Sequence, residues 1–252
     1  MERNQLLFQE IADEAYGIME EASSYGIGLK LLGGIAIRTV TKSWIYPPFN
    51  RNVSDIDFAV TRKGLPRLIS LFERKGYIAR EMFNKLNMGS RLIYYTDRGH
   101  RVDIFVEEFN MCHKIPLIKA FESGGLSIPP AELLLTKLQV VNIAEKDLLD
   151  ICLMLNDLQI TEDDTGINWQ RIAYLCSKDW GLYTTVSENL QKVLSFSLSL
   201  PRESREKINN STDRLLSLIS KREKTIVWKI RSLLGKRLRW YQIPEEVPEI
   251  KQ

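Results

Sequence analysis

Residues 51–60 read RNVSDIDFAV, and the alternation in this stretch decides the first half of the fold. Ile56, Phe58 and Val60 are apolar, and Asp55 and Asp57 stand between them. A period of two marks a strand with one buried face and one open face. The stretch therefore predicts a strand over 55–60, with two carboxylates projecting from the same polar face. Upstream, GLKLLGG (28–34) reads as a short buried strand ending in the pair Gly33-Gly34, and IAIRTVTKSW (35–44) can begin a helix after it. The segment IYPPFNRNVS (45–54) is a loop fixed by Pro47 and Pro48.

The pattern continues on both sides. Leu6, Leu7, Ile11, Ala15, Ile18 and Met19 recur at threes and fours and predict a helix over 5–22. LPRLISLFERKGY (65–77) predicts an amphipathic helix stopped by Gly76. RLIYYTDRGHRVDIFVE (91–107) is a hairpin turning at Asp97-Arg98-Gly99, and its second arm carries Asp103 among Val102, Ile104 and Phe105. From about Gly124 the strand signals stop. Pro129 and Pro130 open a helix through AELLLTKLQVVN, EKDLLDICLMLNDL starts another, and 168–177, 183–198 and 212–239 follow as helical stretches. The expected architecture is α+β: an α/β domain over 1–123, then an all-helical domain over 124–252.

Composition narrows the class. The chain has 252 residues, 44% hydrophobic and 27% charged, which is globular and not disordered. No apolar run reaches about 18 residues, so no membrane span is expected, and the start MERNQLLFQE lacks a secretory pattern. Cys112, Cys152 and Cys176 are few, odd in number and widely spaced, which fits buried thiols in the cytoplasm. Two histidines argue against a His-built zinc site or a His-centred triad; His100 is expected to be solvated at a hairpin tip and His113 to be structural. Residues 201–240 carry twelve Lys and Arg against four Asp and Glu, a balance of +8. That asymmetry hints at a polyanionic partner, but the solvated face of a long helix is the favoured reading. Trp228 and Trp240 in this region could stack on bases or pack in a core.

If the strands bearing Asp55, Asp57 and Asp103 are neighbours, three carboxylates converge. Like charges at close range repel, and a hard divalent cation such as Mg²⁺ relieves the repulsion. A glycine pair at a strand-to-helix turn lets backbone N–H groups approach a phosphate. Each piece alone is common: two acids on a strand are often only solvent-facing, and Gly-Gly is often only a turn. Their order along the chain is the stronger signal.

That order, LLGGIAIRTV…RNVSDIDFAV…RVDIFVE, resembles the polymerase-β-like nucleotidyltransferase superfamily, whose pattern is a glycine pair, a D-x-D/E strand and a third Asp on a later strand. Within it the chain is most similar to the AbiEii-type group, the toxin component of type IV toxin–antitoxin systems. That group adds a helical half with a Lys and a later Asp, matched here by Lys137, Lys146-Asp147 and Asp150. The likeness covers roughly residues 25–157. It implies a short mixed sheet with flanking helices and two-metal transfer of a nucleoside monophosphate from an NTP to a hydroxyl. By position, Gly33 and Gly34 would hold the triphosphate. Asp55 and Asp57 would bind Mg²⁺ (or Mn²⁺), and Asp103 would complete a second metal site and help deprotonate the acceptor. Lys137 would neutralise phosphate, Asp147 or Asp150 would orient it or the base, and Arg51 and Ser54 would touch phosphate or anchor their loop. Two departures stand out: Ile35 follows Gly34 where a Ser is usual, and twenty residues separate Gly34 from Asp55. An RNA acceptor such as tRNA would use the basic segment, and an antitoxin protein would be a partner. A small-molecule (antibiotic-type) transferase and a non-catalytic nucleotide- or partner-binding module are the alternatives.

Overall fold

A computed structural model describes residues 2–245. Helix α1 (Glu2–Ser24) leads into β1 (Leu29–Leu32) and α2 (Gly33–Val40); a loop then reaches β2 (Asp55–Val60). After α3 (Leu65–Arg74) come β3 (Ile78–Ala79), α4 (Glu81–Asn87), β4 (Arg91–Tyr95) and β5 (Arg101–Val106). These strands form one sheet in the order β1-β2-β5-β4-β3. β2 and β5 run parallel at its centre and every other pair is antiparallel. A parallel pair needs a crossover, here the segment from α3 to β4. The expected hairpin is β4–β5, with Gly99 in its turn at φ +81°.

The alternation sorts the sheet into two faces. Ile56, Phe58 and Val60 of β2 are buried, as are Val102, Ile104 and Val106 of β5 and Leu92 and Tyr94 of β4. The same hydrophobic cluster takes in Ile11, Ala15, Ile18 and Ala22 of α1 and Leu68, Leu71 and Phe72 of α3. The Phe72 and Tyr94 rings meet edge-on at 5.0 Å. Asp55, Asp57, Arg101 and Asp103 are left on the opposite face.

A second hairpin, β6 (Glu108–Asn110) with β7 (Lys114–Pro116), follows. The chain then returns along β1: the Leu31 N–H donates to the Leu126 carbonyl at 2.8 Å, and the Ile128 N–H donates to the Leu31 carbonyl at 3.1 Å. Lys30 Nζ, buried beneath, donates to the carbonyls of Ser123 (2.8 Å) and Gly125 (2.6 Å). Beyond it stand α5 (Pro130–Leu138), α6 (Glu145–Asp157), β8 (Ile160–Thr161), β9 (Ile167–Asn168), α7 (Trp169–Lys178), α8 (Trp180–Ser197), α9 (Arg202–Lys221) and α10 (Ile226–Leu234). Asn168, Asp179 and Thr225 cap α7, α8 and α10 by accepting backbone N–H bonds. The architecture is α+β, with ten α-helices among the described residues around a small mixed sheet. No helix among them is long and apolar enough to cross a membrane. One continuous cluster of buried side chains runs from Phe8 to Ile219.

Several expectations need correction. Strands do not stop at Gly124, since β8 and β9 pair in parallel and Ser127 bridges to Leu31. The helix beginning at Pro130 ends at Leu138, short of Asn142, because Asn189 Nδ2 takes the Leu138 and Val140 carbonyls at 2.9 and 2.7 Å. The single helix expected over 212–239 is two. Lys224 Nζ binds the carbonyls of Ile219 and Arg222 (2.7 Å each) where the chain breaks. Its apolar stripe divides there: Leu215 and Ile219 are buried, whereas Ile226, Val227, Ile230 and Leu233 are exposed. Trp228 packs edge-on against Tyr183 at 5.2 Å, and Trp240 Nε1 donates to Thr185 Oγ1 at 3.2 Å. His100 is only partly solvated, because its Nδ1 pairs with Glu14 of α1. His113 is structural as expected, buried with its backbone N–H on Gln139 Oε1 at 2.7 Å. All three cysteines are free and buried.

Phe58, fully buried at the centre of the core face, sets the first test. Phe58→Ala should lower unfolding free energy by about 3–5 kcal/mol in a urea titration; a loss below about 1 kcal/mol would contradict this packing.

Candidate active site

The site begins where β1 ends. Gly33 has φ +61° and opens α2, so the chain turns sharply and brings the first N–H groups of the helix to the open face of the sheet. A Cβ at Gly33 would lie 1.9 Å from Asp57 Oδ2, and one at Gly34 would lie 2.8 Å from Val53 Cγ2. The glycine pair is therefore required by the protein's own packing: Asp57 sits against one glycine and Val53 against the other.

The loop between α2 and β2 is tethered at both ends. Asp157, at the end of α6, accepts from the Lys42 N–H (2.6 Å), the Ser43 N–H (2.7 Å) and Ser43 Oγ (2.6 Å). These donors hold its carboxyl below the usual range, against the effect of burial. At the other end, buried Arg38 donates Nη1 to the Gly34 carbonyl at 3.1 Å and Nη2 to the Arg51 carbonyl. Burial first, and then the nearby Arg51 charge, bring the Arg38 guanidinium down to about 10.

Register does the rest. Asp57 stands directly opposite Asp103 across the β2–β5 pair, and Asp55 opposite Arg101. Gly33, Gly34, Arg51, Ser54, Asp55, Asp57, Asp103, Lys137 and Asp147 line one cleft of about 270 Å³. These are nine of the ten expected site residues. The tenth, Asp150, lies behind the wall, only 2% exposed. There it receives Arg51 Nε at 2.7 Å, a second contact from Arg51 Nη2, and Lys137 Nζ at 3.0 Å. Lys137 also reaches Asp147 Oδ1 at 2.7 Å. Burial works against the Lys137 charge, but Asp150 and Asp147 outweigh it and raise its pKa. Burial alone would raise Asp150; Lys137 and Arg51 reverse that and hold it low.

The carboxylates of the sheet are treated unequally. Asp103 is clamped between Arg91 (Nε 2.8 Å and Nη2 2.6 Å to Oδ1) and Arg101 (Nε 2.8 Å to Oδ2). Asp55 and Asp57 have no hydrogen-bond or ion-pair partner among the described residues. Burial, then Asp103, then Asp55, push the Asp57 carboxyl up to about 7. Two unpartnered carboxylates two residues apart, half-buried and facing a cleft, have the donor chemistry of a Mg²⁺ or Mn²⁺ site. Among the described residues no three Asp, Glu, His or Cys side chains make a ready-made cage. Phosphate oxygens and water would therefore complete such a cation's shell.

Sequence reasoning missed the arginine clamp and one wall. Arg101 is two residues from Asp103, the same spacing that put Asp55 and Asp57 on one face, so that signal was present. The wall is formed by Phe105, Phe109 and Met111, with the Phe105 and Phe109 rings in tilted contact at 4.5 Å. Phe105 comes from β5, and Phe109 and Met111 come from the β6–β7 hairpin, whose short strands carry no pattern. Lys146 also lines the cleft, exposed and without an ion-pair partner among the described residues.

The fold and site thus define an α+β protein with a carboxylate- and arginine-lined cleft. No protein-family model matches the chain, and no curated protein matches it.

Two variants test this geometry. Gly33→Ala meets both the positive φ and the Asp57 carboxylate, so it should cost more than about 1–2 kcal/mol, the backbone term alone. In a double-mutant cycle with Asp57→Gly the contact part should be recovered; strict additivity would refute the contact. Asp150→Asn should destabilise strongly at pH 7 by uncoupling Arg51 and Lys137. Because the folded-state pKa of Asp150 lies below its ordinary value, its contribution is complete above about pH 4 and is lost only as pH falls further. The wild-type-to-variant gap in unfolding free energy should close below about pH 4 and stay flat from pH 5 to 8.

Proposed function

We propose that the cleft is the active site of a nucleotidyltransferase. It moves a nucleoside monophosphate from a nucleoside triphosphate to a hydroxyl acceptor and releases pyrophosphate. The observation that carries this reading is convergence: residues from β1–α2, the loop before β2, β2, β5 and α5–α6 line a single cleft, with Asp55 and Asp57 unpartnered at its floor.

A Mg²⁺ or Mn²⁺ ion on Asp55 and Asp57 would supply the Lewis-acid charge that in-line displacement at the α-phosphorus requires. The chain's own groups do the rest. The N–H groups at the start of α2, freed of side chains at Gly33 and Gly34, receive triphosphate oxygens. Lys137, held by Asp147 and Asp150, neutralises phosphate charge from the facing wall. Arg51 and Ser54 border the same phosphates, and the Phe105–Phe109–Met111 wall offers an apolar face for the base. In this reading the fold is of the nucleotidyltransferase type and resembles that of the AbiEii-type toxins. The protein works in the cytoplasm, where its three free thiols stay reduced.

The acceptor proposed is RNA. Arg214, Lys221, Lys229, Arg237 and Arg239 are exposed and have no ion-pair partner among the described residues. A phosphate backbone matches exposed, unpaired cations of this kind, and binding should weaken as salt rises.

The test is label transfer with Mg²⁺, each α-³²P-labelled nucleoside triphosphate and total tRNA. Wild type should label RNA, and Asp55→Ala/Asp57→Ala should fall by at least about 1,000-fold. Lys137→Met should lose roughly 100-fold. Label on protein would move the acceptor to a polypeptide. Absence of both label and calorimetric triphosphate binding would overturn the enzyme reading in favour of a partner-binding module.

A further inference from the structure

We infer that the cleft takes one divalent cation, on Asp55 and Asp57, and that Arg91 and Arg101, locked onto Asp103, supply the second centre of positive charge. This rests on the nucleotidyl-transfer reading and departs from its two-metal form at a single residue, Asp103.

A second metal site would need Asp103 as a free ligand beside Asp57, its direct partner across the β2–β5 pair. Asp103 Oδ1 instead accepts from Arg91 Nε at 2.8 Å and from Arg101 Nη2 at 3.4 Å, with Arg91 Nη2 at 2.6 Å, and Oδ2 is ion-paired with Arg101 Nε at 2.8 Å without hydrogen-bond geometry. The carboxylate is only 4% exposed. Removing it from two cations would leave buried charges uncompensated on both sides.

Arg91 is also held by contacts other than Asp103. The Arg91 guanidinium lies over the Phe83 and Phe105 rings, 5.7 and 5.2 Å from their centroids. Register sets the Arg101 backbone opposite Asp55, and Asp103 is the partner that aims its guanidinium. Two positive charges therefore stand beside the unpartnered pair whether or not a cation is bound.

Charge decides between one ion and two. Arg51 and Lys137 balance Asp147 and Asp150 one for one. On the sheet, three carboxylates against two guanidinium groups leave a net charge of −1. One divalent cation turns this to +1, which suits a triphosphate; a second would give +3 in a half-buried cleft with no carboxylate left to receive it. Both arginines keep a terminal nitrogen for an incoming anion. Arg91 Nη1 makes only a 3.5 Å contact with Met111 Sδ, and Arg101 Nη1 has no partner among the described residues. The arginines thus take a second metal's electrostatic role toward phosphate oxygens, and Asp103 is a positioning residue that aims them.

The test counts ions on the full chain. Mn²⁺ is titrated and free Mn²⁺ is read by electron paramagnetic resonance, alone and with a non-hydrolysable nucleoside triphosphate analogue. Wild type should bind one Mn²⁺ per chain. Asp103→Asn should still bind one, within about threefold of wild-type affinity, while Asp55→Asn/Asp57→Asn should lose at least about tenfold. Arg91→Met/Arg101→Met, if folded by circular dichroism, frees Asp103 and should gain a second ion. If that variant does not fold, the wild-type and Asp103→Asn counts decide. Two Mn²⁺ per wild-type chain, or loss of the ion in Asp103→Asn, overturns the inference and leaves nucleotidyl transfer standing. No Mn²⁺ bound under either condition overturns both.

Discussion

Two parallel strands with Asp57 set directly opposite Asp103 impose the constraint on which the rest of the structure depends. They crowd acidic side chains onto one half-buried face, where like charges repel and water screens them poorly. The surroundings answer that repulsion. Asp103 is neutralised within the sheet by Arg91 and Arg101, and Asp150 is neutralised behind the cleft wall by Arg51 and Lys137. The unanswered charge is left on Asp55 and Asp57, at the floor of the cleft. The chemistry proposed for this protein follows from where compensation stops.

The two halves of the chain meet through this compensation as well as through apolar packing. Lys137 and Asp150 belong to helices; Arg51 belongs to the loop before β2; Arg38 ties that loop to α2. The Phe8 and Trp44 rings meet at a tilt, 4.6 Å apart, with Arg38 over both, which anchors α1 to the same loop. The glycine pair serves the same arrangement from the other side, since any side chain at Gly33 would displace Asp57. Its role here is to admit a carboxylate as much as a phosphate.

Much of this was legible in the residues because it rests on local periodicity. The alternation in 55–60 and 91–107 brought three carboxylates together if their strands were neighbours, and the resemblance to a known pattern added Lys137, Asp147 and Asp150. What was not legible is non-local. That Arg91 and Arg101 close on Asp103 depends on strand register and rotamer choice, which no window of sequence contains. That His100 meets Glu14 depends on α1 crossing the sheet. The break at 222–225 was hidden because α9 and α10 continue the same apolar spacing, although only the first of them is buried. The hairpin that supplies Phe109 and Met111 is too short to show a period.

The ion pair between Arg51 and Asp150 joins residues 99 positions apart, and Lys30 reaches the Ser123 carbonyl across 93. Contacts of that span form late, because the entropy of closing long loops must be met before they reward the chain. The cleft is therefore a feature of the nearly finished fold and not of any segment. During synthesis, the carboxylates of β2 emerge long before the groups that balance them. Until α6 has left the ribosome, the chain has no assembled site, so any activity the cleft possesses is withheld until most of the protein exists.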